Sequence, residues 1–223
     1  MGLLQDRTAA RRWYRLVSRL YDPLVGETFW PASLQRAVLS EFGLRSDAHV
    51  LDVGCGTGAT SRQLGGRAGT VDALDHSRPQ LAQAREAAAD VRYVRGDAAH
   101  LPYASETFDA VVSVGAVIFF PDPEAALAEA RRVTRPGGRL LVAGFNRTRV
   151  PSWNPMENWA ALANEALFHT ADEREARENA LAAGWHGVET HVAGPVWHPR
   201  LVRVTTAEKR ADSQSSPTTN VSG

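Results

Sequence analysis

Three glycines at alternate positions, Gly54, Gly56 and Gly58, follow an apolar run that carries one acid, Asp52, two residues before the first of them. Glycine has no Cβ, so such a run can turn sharply and let a ligand lie against bare main chain. A helix beginning near Ala59 aims its free N–H groups at the same place. Strand, glycine turn and helix together predict a nucleotide site. Asp52, Gly54, Cys55, Gly56 and Gly58 are its candidate contacts, and an ordinary tight turn is the alternative.

The spacing also satisfies the loose dinucleotide pattern G-x-G-x-x-G/A, with Ala59 in the last place. Asp52 argues against a pyrophosphate, which a carboxylate beside the turn repels. A ligand without phosphate and with positive groups suits the acid better. S-adenosylmethionine, with an ammonium and a sulfonium, is such a ligand. A second acid ends the run Val71-Asp72-Ala73-Leu74-Asp75, before His76-Ser77-Arg78-Pro79. Ser77 is a fitting N-cap, and proline in the first turn suits a helix start. Asp75 is therefore expected at the carboxyl end of a strand beside the glycine turn, the edge where open α/β sheets bind ligands. There its carboxylate accepts both ribose hydroxyls, or else caps the next helix. Asp72 points elsewhere by strand alternation, and His76 is expected against the cofactor. Asp97, in Arg95-Gly96-Asp97-Ala98, is expected on the same edge, accepting the adenine amino group with the backbone of Ala98 beside it. A solvated turn aspartate is the alternative there. Small residues after Val114, namely Gly115 and Ala116, leave room for the methionine part of the ligand.

The elements that must position these residues follow from periodicity. Residues 8–20 read as an amphipathic helix, and a second is expected around 29–42. Strands are expected at 48–53, 69–75, 91–95, 109–114 and 138–144, with helices at 59–66, 79–88 and 122–134 between them. The turn Arg135-Pro136-Gly137-Gly138-Arg139 precedes the fifth strand. Residues 151–168 resemble an insertion or lid. A helix at 171–183 and an antiparallel strand pair at 187–193 and 200–206 close the domain. The alternation predicts an α/β fold: a Rossmann-like, seven-stranded, mostly parallel sheet with helices on both faces and an N-terminal helical cap. One domain is expected over 1–206, with a cap at 1–45, a cofactor-binding core at 46–145 and a lid with final strands at 146–206. A disordered tail is expected over 207–223.

The chain has 223 residues and zero formal net charge, so no nucleic-acid footprint is expected. Lys209 is the one lysine and lies in the expected tail, which argues against Schiff-base chemistry. Cys55 is the one cysteine, which excludes an intrachain disulfide and a cysteine-based metal site. No signal peptide or transmembrane run is apparent, and a soluble, cytoplasmic protein is expected.

The motifs at 50–58, Asp75, Gly96-Asp97-Ala98, Leu101-Pro102-Tyr103 through Phe108-Asp109, and Thr134-Arg135-Pro136-Gly137-Gly138 resemble those of the class I S-adenosylmethionine-dependent methyltransferases. The resemblance implies a seven-stranded sheet with the cofactor across its carboxyl edge. It sets the glycine turn against the methionine part, Asp75 against the ribose and Asp97 against the adenine. Leu20-Tyr21-Asp22 with Trp30, Phe119-Phe120-Pro121-Asp122-Pro123, and Gly194-Pro195-Val196-Trp197 resemble the quinone C-methyltransferases, of the menaquinone/ubiquinone and methyl-phytyl-benzoquinone branch.

That resemblance implies a small lipophilic methyl acceptor, such as a prenylated hydroquinone. The aromatic residues Tyr14, Tyr21, Phe29, Trp30, Trp153, Trp159 and Phe168 agree with an apolar or aromatic substrate, though packing of the cap explains them equally. Any membrane contact would be peripheral. His169 and His198 are available as bases for a phenol proton, and His100 is near the adenine or exposed, but no catalytic base is assigned. An O- or N-methyltransferase of another metabolite, a non-catalytic cofactor-binding protein and a nicotinamide dehydrogenase are the competing readings.

Overall fold

The computed structural model describes residues 32–87, 90–145, 173–193 and 202–211. The expected helix at 8–20, the lid at 151–168, the aromatic residues of both, and His169 and His198 lie outside them. The described chain runs α1 (Ala32–Phe42), β1 (His49–Val53), α2 (Ala59–Gly65), β2 (Thr70–Asp75), α3 (Arg78–Ala87), β3 (Arg92–Arg95), β4 (Phe108–Val114), a 3₁₀ turn (Val117–Phe119), α4 (Pro123–Val133), β5 (Thr134–Phe145), α5 (Glu173–Ala182), β6 (His186–Ala193) and β7 (Val202–Glu208).

The seven strands form one sheet in the order β3-β2-β1-β4-β5-β7-β6. β1 pairs in parallel with β2 and β4, β2 with β3, and β4 with β5. β7 is antiparallel to both β5 and β6. The chain reverses direction in the sheet order at β1, which sits between β2 and β4, and a cleft opens outside the carboxyl ends there. β1 is buried on both faces, as a central parallel strand must be, with Val50, Leu51 and Val53 apolar and Asp52 its one fully buried polar residue. Val38, Leu39, Leu64 and Leu81 from α1–α3 cover one face over Val50, Val71 and Val112. Leu127, Ala130 and Ala180 from α4 and α5 cover the other over Leu51, Val111 and Leu140, with Trp185 buried in the same cluster. The Trp185 indole N–H donates to Leu127 O at 3.0 Å, which removes the one polar liability of that ring.

Most boundaries fall within a residue or two of the sequence reading, and two of the differences have a physical cause. The fifth strand begins at Thr134 rather than 138, because Thr134 pairs with Phe108 before the register shifts to Ala110 opposite Arg139. The proline and two glycines form the bulge, with Gly137 at φ +75°. The last strand runs to Glu208 and the expected tail begins too early. Ala207 packs in the core, and Lys209 is buried, with its Nζ donating to Thr134 O at 2.8 Å. Its backbone N–H also donates to Gly138 O, while its carbonyl accepts from Gly137 N–H. A lysine surrounded by polar residues in sequence thus clamps the bulge of β5.

Candidate functional site

At the carboxyl end of β1 the chain turns through Gly54, Gly56 and Gly58, at φ +77°, +56° and +80°. All three lie in the left-handed region that side chains rarely adopt. The turn is tied to β2, since the N–H groups of Gly54 and Cys55 both donate to Leu74 O. It is also crowded from above. A Cβ on Gly54 would stand 2.3 Å from Ala116 Cβ, and one on Gly58 would stand 2.8 Å from the Tyr93 hydroxyl. Gly58 precedes α2 in a left-handed conformation, and no side chain caps the helix.

Asp75 closes the other side. It is buried at the tip of β2, where one carboxylate oxygen accepts from Gly56 N–H at 2.9 Å and the other from Ser77 N–H at 2.7 Å. The cap anticipated as an alternative is therefore made, by the same carboxylate that touches the glycine turn. Those two bonds leave further lone pairs on the carboxylate. His76 Nδ1 stands 3.4 Å from Asp75, and the His76 carbonyl accepts from Arg95 Nε. Asp72 points to the opposite face and is held by Arg92 at 3.0 Å and by His49.

Asp52 does not face the cleft openly. It is 1 % exposed and accepts from Ser61 Oγ at 2.6 Å beneath α2. Burial pushes its carboxyl up to about 7, against the opposing Ser61 bond, and neighbouring Asp75 adds to the rise. Burial likewise pushes the Cys55 thiol far up, with Asp52 and Asp75 contributing, so Cys55 is no thiolate nucleophile. Asp97 is exposed and accepts from Ala99 N–H within its own turn, while Ala98 is buried beside it. Val114 is half-buried at the end of β4, where Gly115 N–H donates to Ala143 O and Ser113 Oγ to Val53 O. The loop that carries Asp97 is held by Arg132, which donates to Leu101 O and Tyr103 O, and by Glu129, which accepts from Leu101 N–H.

Sequence reasoning overlooked Gln80. This α3 residue is 2 % exposed, and its Oε1 lies 3.2 Å from the position of a Gly56 Cβ. A fully polar side chain on the buried stripe of a short helix, five residues after Asp75, was the available signal. Ser61 was equally legible only in retrospect, since a serine inside a helix says nothing of the acid it meets.

Bare left-handed backbone, an uncapped helix start, and an acid with spare lone pairs at the neighbouring strand tip suit an uncharged ribose and a cationic tail. The buried Asp75 carboxylate against the turn does not suit a pyrophosphate. Among the described residues no cluster of three acidic, His or Cys ligands exists for a metal.

Residues 51–142 match a family described as a methyltransferase domain. A demethylmenaquinone methyltransferase of Beutenbergia cavernae is 41% identical over 124 residues, 55% of this chain and 50% of that protein. A 2-methyl-6-phytyl-1,4-hydroquinone methyltransferase of Oryza sativa subsp. japonica is 35% identical over 205 residues, 87% of this chain and 58% of that protein. A malonyl-[acyl-carrier protein] O-methyltransferase of Salmonella typhimurium is 36% identical over 170 residues, covering 74% of this chain and 66% of that protein. The chain spans about half the length of the curated relatives it matches. Among solved structures, the [4+2]-cyclase SpnF aligns with a TM-score of 0.72 at 18% identity over 95% of this chain and 100% of that one. An S-adenosylmethionine-dependent methyltransferase of Thermotoga maritima aligns with a TM-score of 0.69 at 21% identity, over 90% and 100%. Over residues 51–142 the chain carries a methyltransferase domain, and its fold is the one it shares with the S-adenosylmethionine-dependent methyltransferase of Thermotoga maritima. Its first matching relatives include enzymes named for quinone-type substrates.

Proposed function

We propose that the protein binds S-adenosylmethionine over residues 52–58 and transfers its methyl group to a small lipophilic acceptor, a prenylated hydroquinone. The observation that carries the cofactor half is Asp75, buried at the tip of β2 with its carboxylate against the Gly56 N–H. When bound, the cofactor supplies a methyl group on a positively charged sulfur, already a good leaving group. The protein's part is then mostly positioning. Asp75 accepts the ribose hydroxyls on its remaining lone pairs, with His76 beside it. Asp97 and the Ala98 backbone take the adenine edge. Gly54, Cys55, Gly56, Gly58 and Val114 line the methionine part. Asp52, sealed under α2 and held by the Ser61 hydroxyl, braces the turn from beneath rather than touching the ligand.

The acceptor half rests on the relatives named for demethylmenaquinone and methyl-phytyl-hydroquinone. No helix among the described residues is long and apolar enough to cross a membrane, so a lipid acceptor would be reached from the membrane surface. Incubation with labelled cofactor and a lipid extract tests this reading. Label is expected in a hydroquinone fraction, and label confined to a water-soluble product would overturn it. The O-methyltransferase reading is favoured separately by the Salmonella relative and predicts label released by ester hydrolysis.

A further inference from the structure

Gln80 shares the buried face of α3 with Leu81 and Ala84 and is only 2 % exposed. An amide buried without a partner is unfavourable. Among the described residues the Gln80 carboxamide makes no hydrogen bond. α3 starts at the carboxyl edge of the sheet, and helical side chains tilt back toward the helix N-terminus, so Gln80 reaches toward the cleft. It arrives at the glycine turn. Its Oε1 is 3.2 Å from where a Gly56 Cβ would stand, while its Nε2 lies more than 4 Å from that point. Gly56 is also the residue whose N–H meets one oxygen of Asp75, at 2.9 Å. Acid and amide therefore flank one glycine. Ser77, whose N–H ties the other Asp75 oxygen, stands one helical turn before Gln80.

An ionised carboxylate only accepts hydrogen bonds, whereas a carboxamide offers two N–H donors and an accepting oxygen. A ribose hydroxyl brings one proton and two lone pairs. Asp75 can take the protons of the ribose diol and can do nothing for its lone pairs. Gln80 can give them a donor without placing a second charge beside the acid. We infer that the Gln80 Nε2–H donates to a ribose hydroxyl oxygen whose proton Asp75 accepts, so that donor and acceptor read the diol together. Gln80 is thus a specificity-determining residue for the cofactor. A site built to hydrogen-bond a hydroxyl rejects the analogue without it, because the site's own polar groups are then left unpaired. The inference rests on the cofactor reading above and adds a second ribose contact to it.

The probes are S-adenosylhomocysteine and its 2′-deoxy and 3′-deoxy forms. Each is titrated calorimetrically into the wild type and into Gln80→Met, which removes the amide at nearly constant shape. The wild type should bind the parent at least about tenfold more tightly than either deoxy form. Gln80→Met should weaken the parent roughly five- to tenfold, the loss of one hydrogen bond, but should weaken the deoxy form lacking the hydroxyl served by Gln80 by less than about twofold. A residue that only shapes the turn would weaken all three ligands alike. That even loss, or an unchanged affinity for the parent, overturns the inference and leaves the cofactor reading in place. No binding of the parent to the wild type overturns both. Should Gln80→Met fail to fold, Gln80→Leu carries the same comparison.

Discussion

Replacing Gly54 with alanine separates two things the glycine turn demands. The residue is at φ +77°, where a Cβ costs roughly 1–2 kcal/mol whatever surrounds it. The new atom would also lie 2.3 Å from Ala116 Cβ, more than an ångström inside the roughly 3.5 Å at which carbons rest. Ala116 cannot swing away, since its Cβ is fixed to the backbone, and such overpacking costs about 1–3 kcal/mol. Gly54→Ala should therefore lose about 2–5 kcal/mol. At about 2–4 °C per kcal/mol for a domain of this size, the midpoint should fall by roughly 4–20 °C. Gly115→Ala is the control, because its φ is +72° but its Cβ would meet nothing, leaving strain alone at roughly 1–2 kcal/mol. Ala116→Gly combined with Gly54→Ala should recover the overpacking part, a coupling of about 1–3 kcal/mol in a double-mutant cycle. Thermal and urea unfolding of the four variants decide it. If Gly54→Ala is no worse than Gly115→Ala, or if the cycle shows no coupling, the close approach described between the turn and Ala116 is wrong.

Three further outcomes follow from the same geometry. Asp75→Ala removes the acceptor of Gly56 N–H and Ser77 N–H together with the proposed ribose contacts, so calorimetry should show cofactor binding weakened by about 1–3 kcal/mol, roughly 5- to 150-fold. Undiminished affinity would remove Asp75 from the site. Asp52 is protonated in the folded chain up to about pH 7 but ionises near 4 when unfolded, so its contribution declines as pH rises from about 4 to about 7 and then levels. Asp52→Asn should flatten that decline, and its stability relative to wild type should improve by roughly 3 kcal/mol between pH 4.5 and 8. A constant difference across that window would mean the carboxyl is not raised. Arg132→Ala withdraws the donors to Leu101 O and Tyr103 O, and should cost about 1–3 kcal/mol with faster amide hydrogen exchange across residues 99–105. Exchange confined to its wild-type rate would assign the loop's order to other contacts.

The parts legible from sequence were those in which a local rule and the tertiary structure agree. An apolar strand that ends in glycines, then a helix, is a local pattern, and β1, the turn and α2 follow it. Asp75 was placed by strand length and the Ser-Arg-Pro start of α3, and alternation correctly turned Asp72 away. What escaped was set by contacts distant in the chain. Pro136-Gly137-Gly138 reads as a turn, but the pairing of Thr134 with Phe108 across the sheet draws it into β5 as a bulge. Lys209 sits in polar sequence, yet Thr134 O and the β5 bulge hold it inside. Asp52 was read as facing a cation, and its carboxylate instead meets Ser61, nine residues on, in a sealed position. Gln80 gave only a faint signal, its place on an otherwise apolar helix stripe, because a lone polar residue looks solvated until the elements that bury it are assembled.

The most direct test of the account is a crystal structure with S-adenosylhomocysteine. The nucleoside should lie over residues 52–58 with both ribose hydroxyls on the Asp75 carboxylate and the sulfur toward Val114 and Gly115. A ligand seated elsewhere, or a ribose held by another side chain while Asp75 keeps only Gly56 and Ser77, would contradict it.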